Sequence, residues 1–196
     1  MELQDRVFST TERQAFATIK DHKENFETNT KVRLINPSRP EIGKVAKKIL
    51  EKVIVIVRHK TKLQQMKNTT AVINWFKAIK NKGSQKFIKF DVVNFYPTIS
   101  EELLQLAINW AREYVDISEE EEKIIFEAKN SLLFKDGTPW CKKGESVFDV
   151  AQGSYDGAET CDLVGLFLLS KLEKIEKFNH IIYRDDGLGV THSAPR

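Results

Sequence analysis

Ile181-Ile182-Tyr183-Arg184-Asp185-Asp186-Gly187-Leu188-Gly189-Val190 decides how the rest of the chain is read. Two apolar runs flank a short polar turn, and Asp186-Gly187 between aliphatic runs is a hairpin signal. The pattern predicts an antiparallel hairpin whose tip presents Asp185 and Asp186. Adjacent carboxylates repel one another, so the pair makes best sense with a cation beside it. Oxygen donors of this kind suit Mg²⁺ or Mn²⁺, ions that usually serve phosphate chemistry. Taken alone, Asp-Asp-Gly reads first as a solvated turn, because short motifs match often by accident. The weight of the motif rests on a second carboxylate in an equally telling context.

That context is Phe87-Ile88-Lys89-Phe90-Asp91-Val92-Val93-Asn94-Phe95-Tyr96-Pro97. Residues 86–92 alternate as a strand, and Asp91 ends its apolar run. Burying an unpaired carboxylate would cost several kcal/mol, which a metal or a cationic partner removes. A turn-capping role is the alternative for Asp91 alone. If its strand lies beside the Tyr183 hairpin, three carboxylates converge. Such a set can bind two divalent ions, which activate an attacking 3′-hydroxyl and stabilise a leaving pyrophosphate.

The 196 residues suffice for one compact domain, or one domain with a lobe, and 41% hydrophobic with 30% charged residues is globular composition. Two cysteines, Cys141 and Cys161, make neither a disulfide framework nor a zinc site and fit a reducing compartment. The longest apolar run, Val53 to Val57, is too short to cross a bilayer, and the polar N-terminus carries no secretory pattern. An intracellular protein, cytoplasmic or nuclear, with no membrane association is expected. The net charge of +3 conceals an asymmetry: residues 31–90 hold sixteen Lys or Arg against two acids, and residues 91–196 hold eleven against twenty. A basic half suggests a polyanionic partner, nucleic acid first, and an acidic half can house metal ligands. Two solvated helix faces of opposite sign would give the same count.

Along the chain, residues 1–30 form a polar segment in which Thr10 to Ile19 could make a short helix, followed by a loop from Asn25 to Thr30. Lys31-Val32-Arg33-Leu34-Ile35-Asn36 alternates as a half-exposed strand that Pro37 and Pro40 end. Helical composition runs from Glu41 to about Lys60, with Ile42, Val45, Ile49, Val53 and Ile56 inward and Lys44, Lys47, Lys48 and Lys52 outward. A second helix is expected over residues 70–80, with Val72, Ile73, Phe76 and Ile79 on one side. Ser100 caps a helix to about Tyr114, and Ser118 with Glu121 forms a capping box for the next. Lys135-Asp136-Gly137 can turn a short hairpin, and after a loop around Gly144 an apolar helix spans about Asp156 to Lys177.

Phe90-Asp91-Val92-Val93-Asn94-Phe95-Tyr96-Pro97 resembles the first palm motif of reverse transcriptases, and Tyr183-Arg184-Asp185-Asp186 resembles their Tyr-x-Asp-Asp box. Ala151-Gln152-Gly153-Ser154 resembles the intervening Gln-Gly motif, and Lys31-Val32-Arg33-Leu34-Ile35 the basic fingers strand. Four motifs stand in the family's order over roughly residues 31–190. The resemblance implies an α+β fold: an antiparallel palm sheet of the right-hand polymerase type backed by helices, with a basic fingers lobe, in a fingers/palm domain over residues 31–196. It implies an RNA-directed DNA polymerase of retroelement type, adding dNTPs to a DNA primer on an RNA template with two Mg²⁺ (or Mn²⁺) ions.

Residue by residue, it makes Asp91, Asp185 and Asp186 the metal-binding triad, with Asp91 and Asp185 the more direct ligands. Tyr96 would lie under the deoxyribose and exclude a 2′-hydroxyl; Lys31 and Arg33, two apart on one strand face, would meet the triphosphate. Gln152 and Gly153 would sit beside the templating pair, Tyr183 would support the primer end, and Lys44, Lys47 and Lys48 would track template phosphates. As alternatives, Lys31 is solvated charge, Tyr96 or Phe95 is core packing, and Tyr183 is a strand aromatic.

Two departures stand out. Where the family continues from Gln-Gly into Ser-Pro, this chain has Ser154-Tyr155-Asp156-Gly157-Ala158-Glu159, in which Asp156 and Glu159 could cap the helix. The sequence stops ten residues after Asp186, so a thumb is expected to be absent and processive synthesis weak. Two further readings stay open: a non-catalytic nucleic-acid-binding fragment of such an enzyme, and an RNA-directed RNA polymerase. Tyr96, and Tyr183 in place of glycine, favour DNA synthesis.

Overall fold

The computed structural model describes residues 14–20, 27–37, 40–63, 65–66, 68–130, 133–136, 138–140, 147–175 and 179–191. The expected helix start at Thr10, the loop around Gly144, Cys141, Gly137 and the helix end at Lys177 lie outside them. In chain order the elements are β1 (Phe16–Ile19), β2 (Val32–Ile35), α1 (Glu41–Thr61), α2 (Thr69–Ala78), β3 (Lys86–Asp91), α3 (Phe95–Thr98), α4 (Glu101–Ala111), α5 (Glu119–Glu127), β4 (Leu133–Lys135), β5 (Thr138–Trp140), α6 (Gly157–Ile175), β6 (Asn179–Tyr183) and β7 (Asp186–Thr191). Helices with antiparallel strands make this an α+β fold. No helix among the described residues is long and apolar enough to cross a membrane.

The helices start where the sequence supplies caps. Ser100 Oγ accepts the Leu103 N–H at 3.2 Å to open α4. Ser118 and Glu121 exchange both bonds of the capping box at 3.1 Å to open α5. Asn68 Oδ1 accepts the Ala71 N–H at 2.9 Å to open α2. Each such cap stabilises its helix by about 1 kcal/mol. α1 stops at Lys62, whose left-handed backbone turns its N–H onto the Arg58 carbonyl.

Three antiparallel strands in the order β3-β7-β6 form the central sheet. β3 pairs with β7 from Lys86↔Thr191 to Asp91↔Asp186, and β6 with β7 from Asn179↔Val190 to Tyr183↔Asp186. Alternation puts Ile182 and Phe90 on one face and Ile181, Leu188 and Val190 on the other. The first face packs on the large core, where α1, α4 and α6 contribute Leu50, Val53, Leu104, Ile108, Leu163 and Leu166. The second face is covered by Met66, Trp75 and Ile79 from α2 and its flanks. Trp75 Nε1 donates to Asn179 Oδ1 at 3.0 Å, pinning α2 to the end of the sheet away from Asp91. The free side of β6 is met by Gln65 and Met66, whose N–H donates to the Ile182 carbonyl at 2.8 Å.

The structure corrects several expectations. Phe16–Ile19 is a strand, not the end of a helix, because Thr18 and Ile19 suit an extended backbone and pair with Arg33 and Val32. On α1 Ile49 and Val53 are buried as expected, but the buried face also takes in Gly43, Ala46, Leu50, Ile54 and Val57, while Ile42 and Ile56 are half-buried and Val45 is exposed. On α2 it is Trp75 and Ile79 that are buried, while Ile73 and Phe76 are exposed. The carboxylate hairpin turns at Arg184-Asp185, the two residues between paired Tyr183 and Asp186. Asp186 and Gly187 therefore belong to β7, not to the turn.

Candidate functional site

The register that corrects the turn also assembles the site. Asp91 ends β3 directly opposite Asp186, which opens β7, so the two side chains leave the same face of the sheet. The Val92 N–H then donates to the Asp185 carbonyl at 2.8 Å, closing the turn against the end of β3. Asp91 and Asp186 are exposed and Asp185 is half-exposed. Tyr183, 40% exposed, pairs with Asp186 on its other side. Four of the residues singled out from sequence thus stand at one end of one sheet.

Arg184 holds a left-handed backbone at φ 54°, a conformation that costs a non-glycine residue on the order of 1 kcal/mol. Its guanidinium lies 5.6 Å from the Tyr183 ring centroid, which orients it back over the strand. The tight turn leaves Asp185 at the tip and places the Asp186 side chain on the same face as Asp91.

Gly187 follows for a different reason than turn making. Phe90 pairs with it, and a Cβ built at 187 would overlap the Phe90 ring. The glycine lets the ring lie flat across β7, one pair away from Asp91 and Asp186.

The donor set is three carboxylates with no thiolate or imidazole, which suits a hard divalent cation. Among the described residues no three His, Cys, Asp or Glu side chains are gathered closely enough to form a ready cage. Lys89 Nζ stands 3.9 Å from Asp186 Oδ1, an exposed pair that contributes about 0–1 kcal/mol and that a stronger cation can displace.

Tyr96 lies in α3, half-buried, beside Phe95, which is the buried member of the pair. Asn94, left-handed at φ 52°, opens this short helix three residues after Asp91, and both Phe95 and Tyr96 pack into the large core. Burial pushes the Tyr96 phenol up to about 12; the Cys161 thiol to which it is hydrogen-bonded adds to this, and Arg184 opposes it. The ring thus spans from α6 toward the hairpin tip.

Gln152 and Gly153 meet the basic strand. The Asn36 N–H donates to the Gln152 carbonyl at 2.9 Å, extending β2 into the segment before α6. Gly153 has φ 94°, and a Cβ there would fall 2.9 Å from the Asn36 carbonyl oxygen, so this position requires glycine. Arg33 and Lys31 stand exposed on the β1–β2 ribbon; Arg33 pairs with Thr18, and the Lys31 carbonyl accepts the Lys20 N–H. Of the α1 lysines, Lys47 pairs with Glu159 at 3.1 Å, and Lys44 and Lys47 stand 5.9 and 5.8 Å from the centroid of the Tyr155 ring.

Sequence reasoning missed the groups that hold α6 in place. Lys129 and Asp156, each 1% exposed, form a buried ion pair joining the end of α5 to the start of α6. Burial draws Lys129 down and Asp156 up from their ordinary values, against their mutual attraction. The Asp156 carboxylate, expected as a helix cap, serves this pair instead, and Glu159 serves Lys47. A second tie runs from Arg58 through Gln65 to the Asp162 carbonyl, the last bond being 2.6 Å. A lone lysine in a polar stretch gives no sequence signal of such burial.

No protein-family model matches the chain, and no curated protein matches it. Among solved structures it is similar to an apo telomerase from Candida tropicalis truncated from its C-terminal domain, with a TM-score of 0.56 at 17% identity. The match covers 76% of this chain and 34% of that one, so the chain spans about a third of the telomerase length.

Proposed function

We propose that the chain is the fingers and palm portion of a reverse transcriptase of retroelement type, a nucleotidyltransferase that extends a DNA primer on an RNA template. The observation that carries this reading is the Asp91↔Asp186 register with the Val92–Asp185 bond, which brings carboxylates 94 and 95 residues apart in sequence to one sheet end. Similarity in fold to a telomerase, itself a reverse transcriptase, supports it. Two Mg²⁺ ions held by Asp91, Asp185 and Asp186 would supply activation of the attacking 3′-hydroxyl and neutralisation of the leaving pyrophosphate. The chain's own residues do the placing. Arg33, with Lys31, offers a bidentate guanidinium for the triphosphate of the incoming dNTP. Gln152 and Gly153, whose backbone lies tight against β2, set a flat floor for the templating pair. Tyr96 would supply the rigid ring that excludes a 2′-hydroxyl, and Tyr183 would support the primer end.

Single-nucleotide extension of a DNA primer on an RNA template with Mg²⁺ tests the reading. Asp91→Asn and Asp185→Asn are expected to abolish incorporation while thermal unfolding stays within a degree or two of wild type, because both side chains are solvent-accessible. Incorporation that survives either change sinks the assignment. The separation of the three carboxylates favours one second reading, a non-catalytic nucleic-acid binder; it predicts oligonucleotide binding with no extension by the wild-type chain. Preference for NTP over dNTP would instead identify an RNA-directed RNA polymerase.

A further inference from the structure

The sheet face that bears Asp91 and Asp186 continues away from them along the edge strand β3. Alternation places Lys89 and then Phe87 on that same face, with Phe87 about 13 Å from Asp91. Phe87 is 46% exposed and Phe76 of α2 is 45% exposed, yet their rings touch, with centroids 5.5 Å apart at 37°. Lys82 Nζ lies 5.4 Å from the Phe76 centroid and is held there by the Ile79 carbonyl. Residues 69–90 carry five lysines and no acid, and Lys77, Lys80 and Lys89 are exposed. Two half-exposed rings on a stretch of chain rich in lysine and free of acids are what single-stranded nucleic acid needs: rings for its bases, ammonium groups for its phosphates. Neither feature belongs to the large core, which lies on the other face of the sheet.

We propose that Phe76 and Phe87, with Lys77, Lys80 and Lys89, form a stacking platform that holds single-stranded nucleic acid beside the carboxylate end of the sheet. The occupant rests on the reading above that this chain handles nucleic acid; the platform itself requires no turnover. Unpaired bases stack on the two rings, and the lysines follow the backbone toward Asp91. The platform is sequence-tolerant, because every base offers a face to stack on.

Fluorescence anisotropy of a labelled mixed-sequence single-stranded oligonucleotide, titrated with the full chain without divalent metal or dNTP, tests this. Phe76→Ala and Phe87→Ala are each expected to weaken binding about tenfold. Lys77→Gln with Lys80→Gln is expected to reduce the slope of log affinity against log salt by about 1.4. Circular dichroism checks folding, and if either ring variant unfolds, the lysine pair decides through its salt slope. Wild-type affinity in the ring variants, an unchanged slope in the lysine variant, or no wild-type binding overturns the platform. Ring-dependent self-association in place of oligonucleotide binding, seen by sedimentation, assigns the patch to a protein contact and also overturns it. An Asp185→Asn chain that binds with the same ring dependence separates the two proposals: failed primer extension then counts against the polymerase alone.

Discussion

Gly187→Ala is the sharpest perturbation of the site's framework, because its effect depends on one neighbour. The new methyl would fall inside the Phe90 ring, which lies across β7 at the pair next to Asp91↔Asp186. Forcing an extra methyl into packed space costs about 1–3 kcal/mol. Phe90→Ala alone removes a half-buried ring and costs about 2 kcal/mol, below the roughly 3–5 kcal/mol of a fully buried one. With the ring gone the three atoms nearest to the methyl are removed, and replacing glycine in a strand regains about 0.5–1 kcal/mol of backbone entropy. Gly187→Ala is therefore expected to destabilise the wild-type chain and to stabilise the Phe90→Ala chain, a coupling of about 2–3 kcal/mol. Urea unfolding followed by circular dichroism, at about 2 kcal/mol per M, reads this as a midpoint lowered by about 1 M in the wild-type chain and raised by about 0.3–0.5 M in the Phe90→Ala chain. Equal loss in both backgrounds, or none in either, would refute the argument that Phe90 is the reason for Gly187.

Two further measurements probe what supports the site. Lys129→Met leaves Asp156 buried without its partner and is expected to cost about 3–5 kcal/mol in urea unfolding, whereas Lys129→Met with Asp156→Leu recovers most of it; a double variant no better than the single contradicts the buried pair. Because burial raises the Tyr96 phenol from 10.0 to about 12, the folded chain holds that proton where the unfolded chain has lost it. The stability this provides is complete below pH 10 and disappears as pH rises through 12. Tyr96→Phe should remove that alkaline loss, and identical slopes of stability against pH in this window for both chains would show that Tyr96 is not the group responsible.

How far the fold was legible depends on whether the deciding force was local. Ser100 and Ser118 were readable as caps because a cap is made by residues three apart, and both bonds are present. The β3 and β6–β7 strands were readable from their alternation. The buried faces of α1 and α2 were only partly legible, Ile49, Val53 and Ile79 being buried as expected and Val45, Ile73 and Phe76 not, because apolar spacing fits two neighbouring stripes nearly equally well. What chose between them was the partner: α6 and α5 against α1, and the sheet end around Val190 against Trp75. Ile73 and Phe76 lost that competition and remained outside. Phe16–Ile19 was likewise decided at a distance, by pairing with Val32–Ile35 across an intervening segment.

The candidate site shows the same division more finely. Asp91, Asp185 and Asp186 were legible because a carboxylate at the end of an apolar strand is conspicuous wherever the chain goes. Their grouping at one sheet end was not implied by either segment alone; it required the antiparallel register to stop at Asp91↔Asp186 rather than one pair earlier or later. Gly187 helps fix that register. Phe90 lies where only glycine can stand opposite it, so a one-residue slip would set the ring against Asp186 or Leu188 and turn every side chain of β7 to the wrong face. The residue that reads in the sequence as the maker of the turn is therefore the lock on the strand pairing. The turn itself is left to Arg184, a non-glycine residue bent into a left-handed backbone and returned over Tyr183. The Phe90–Gly187 lock on one side and the two-residue turn on the other thus fix where Asp91, Asp185 and Asp186 stand at this end of the sheet, with Lys89 beside Asp186.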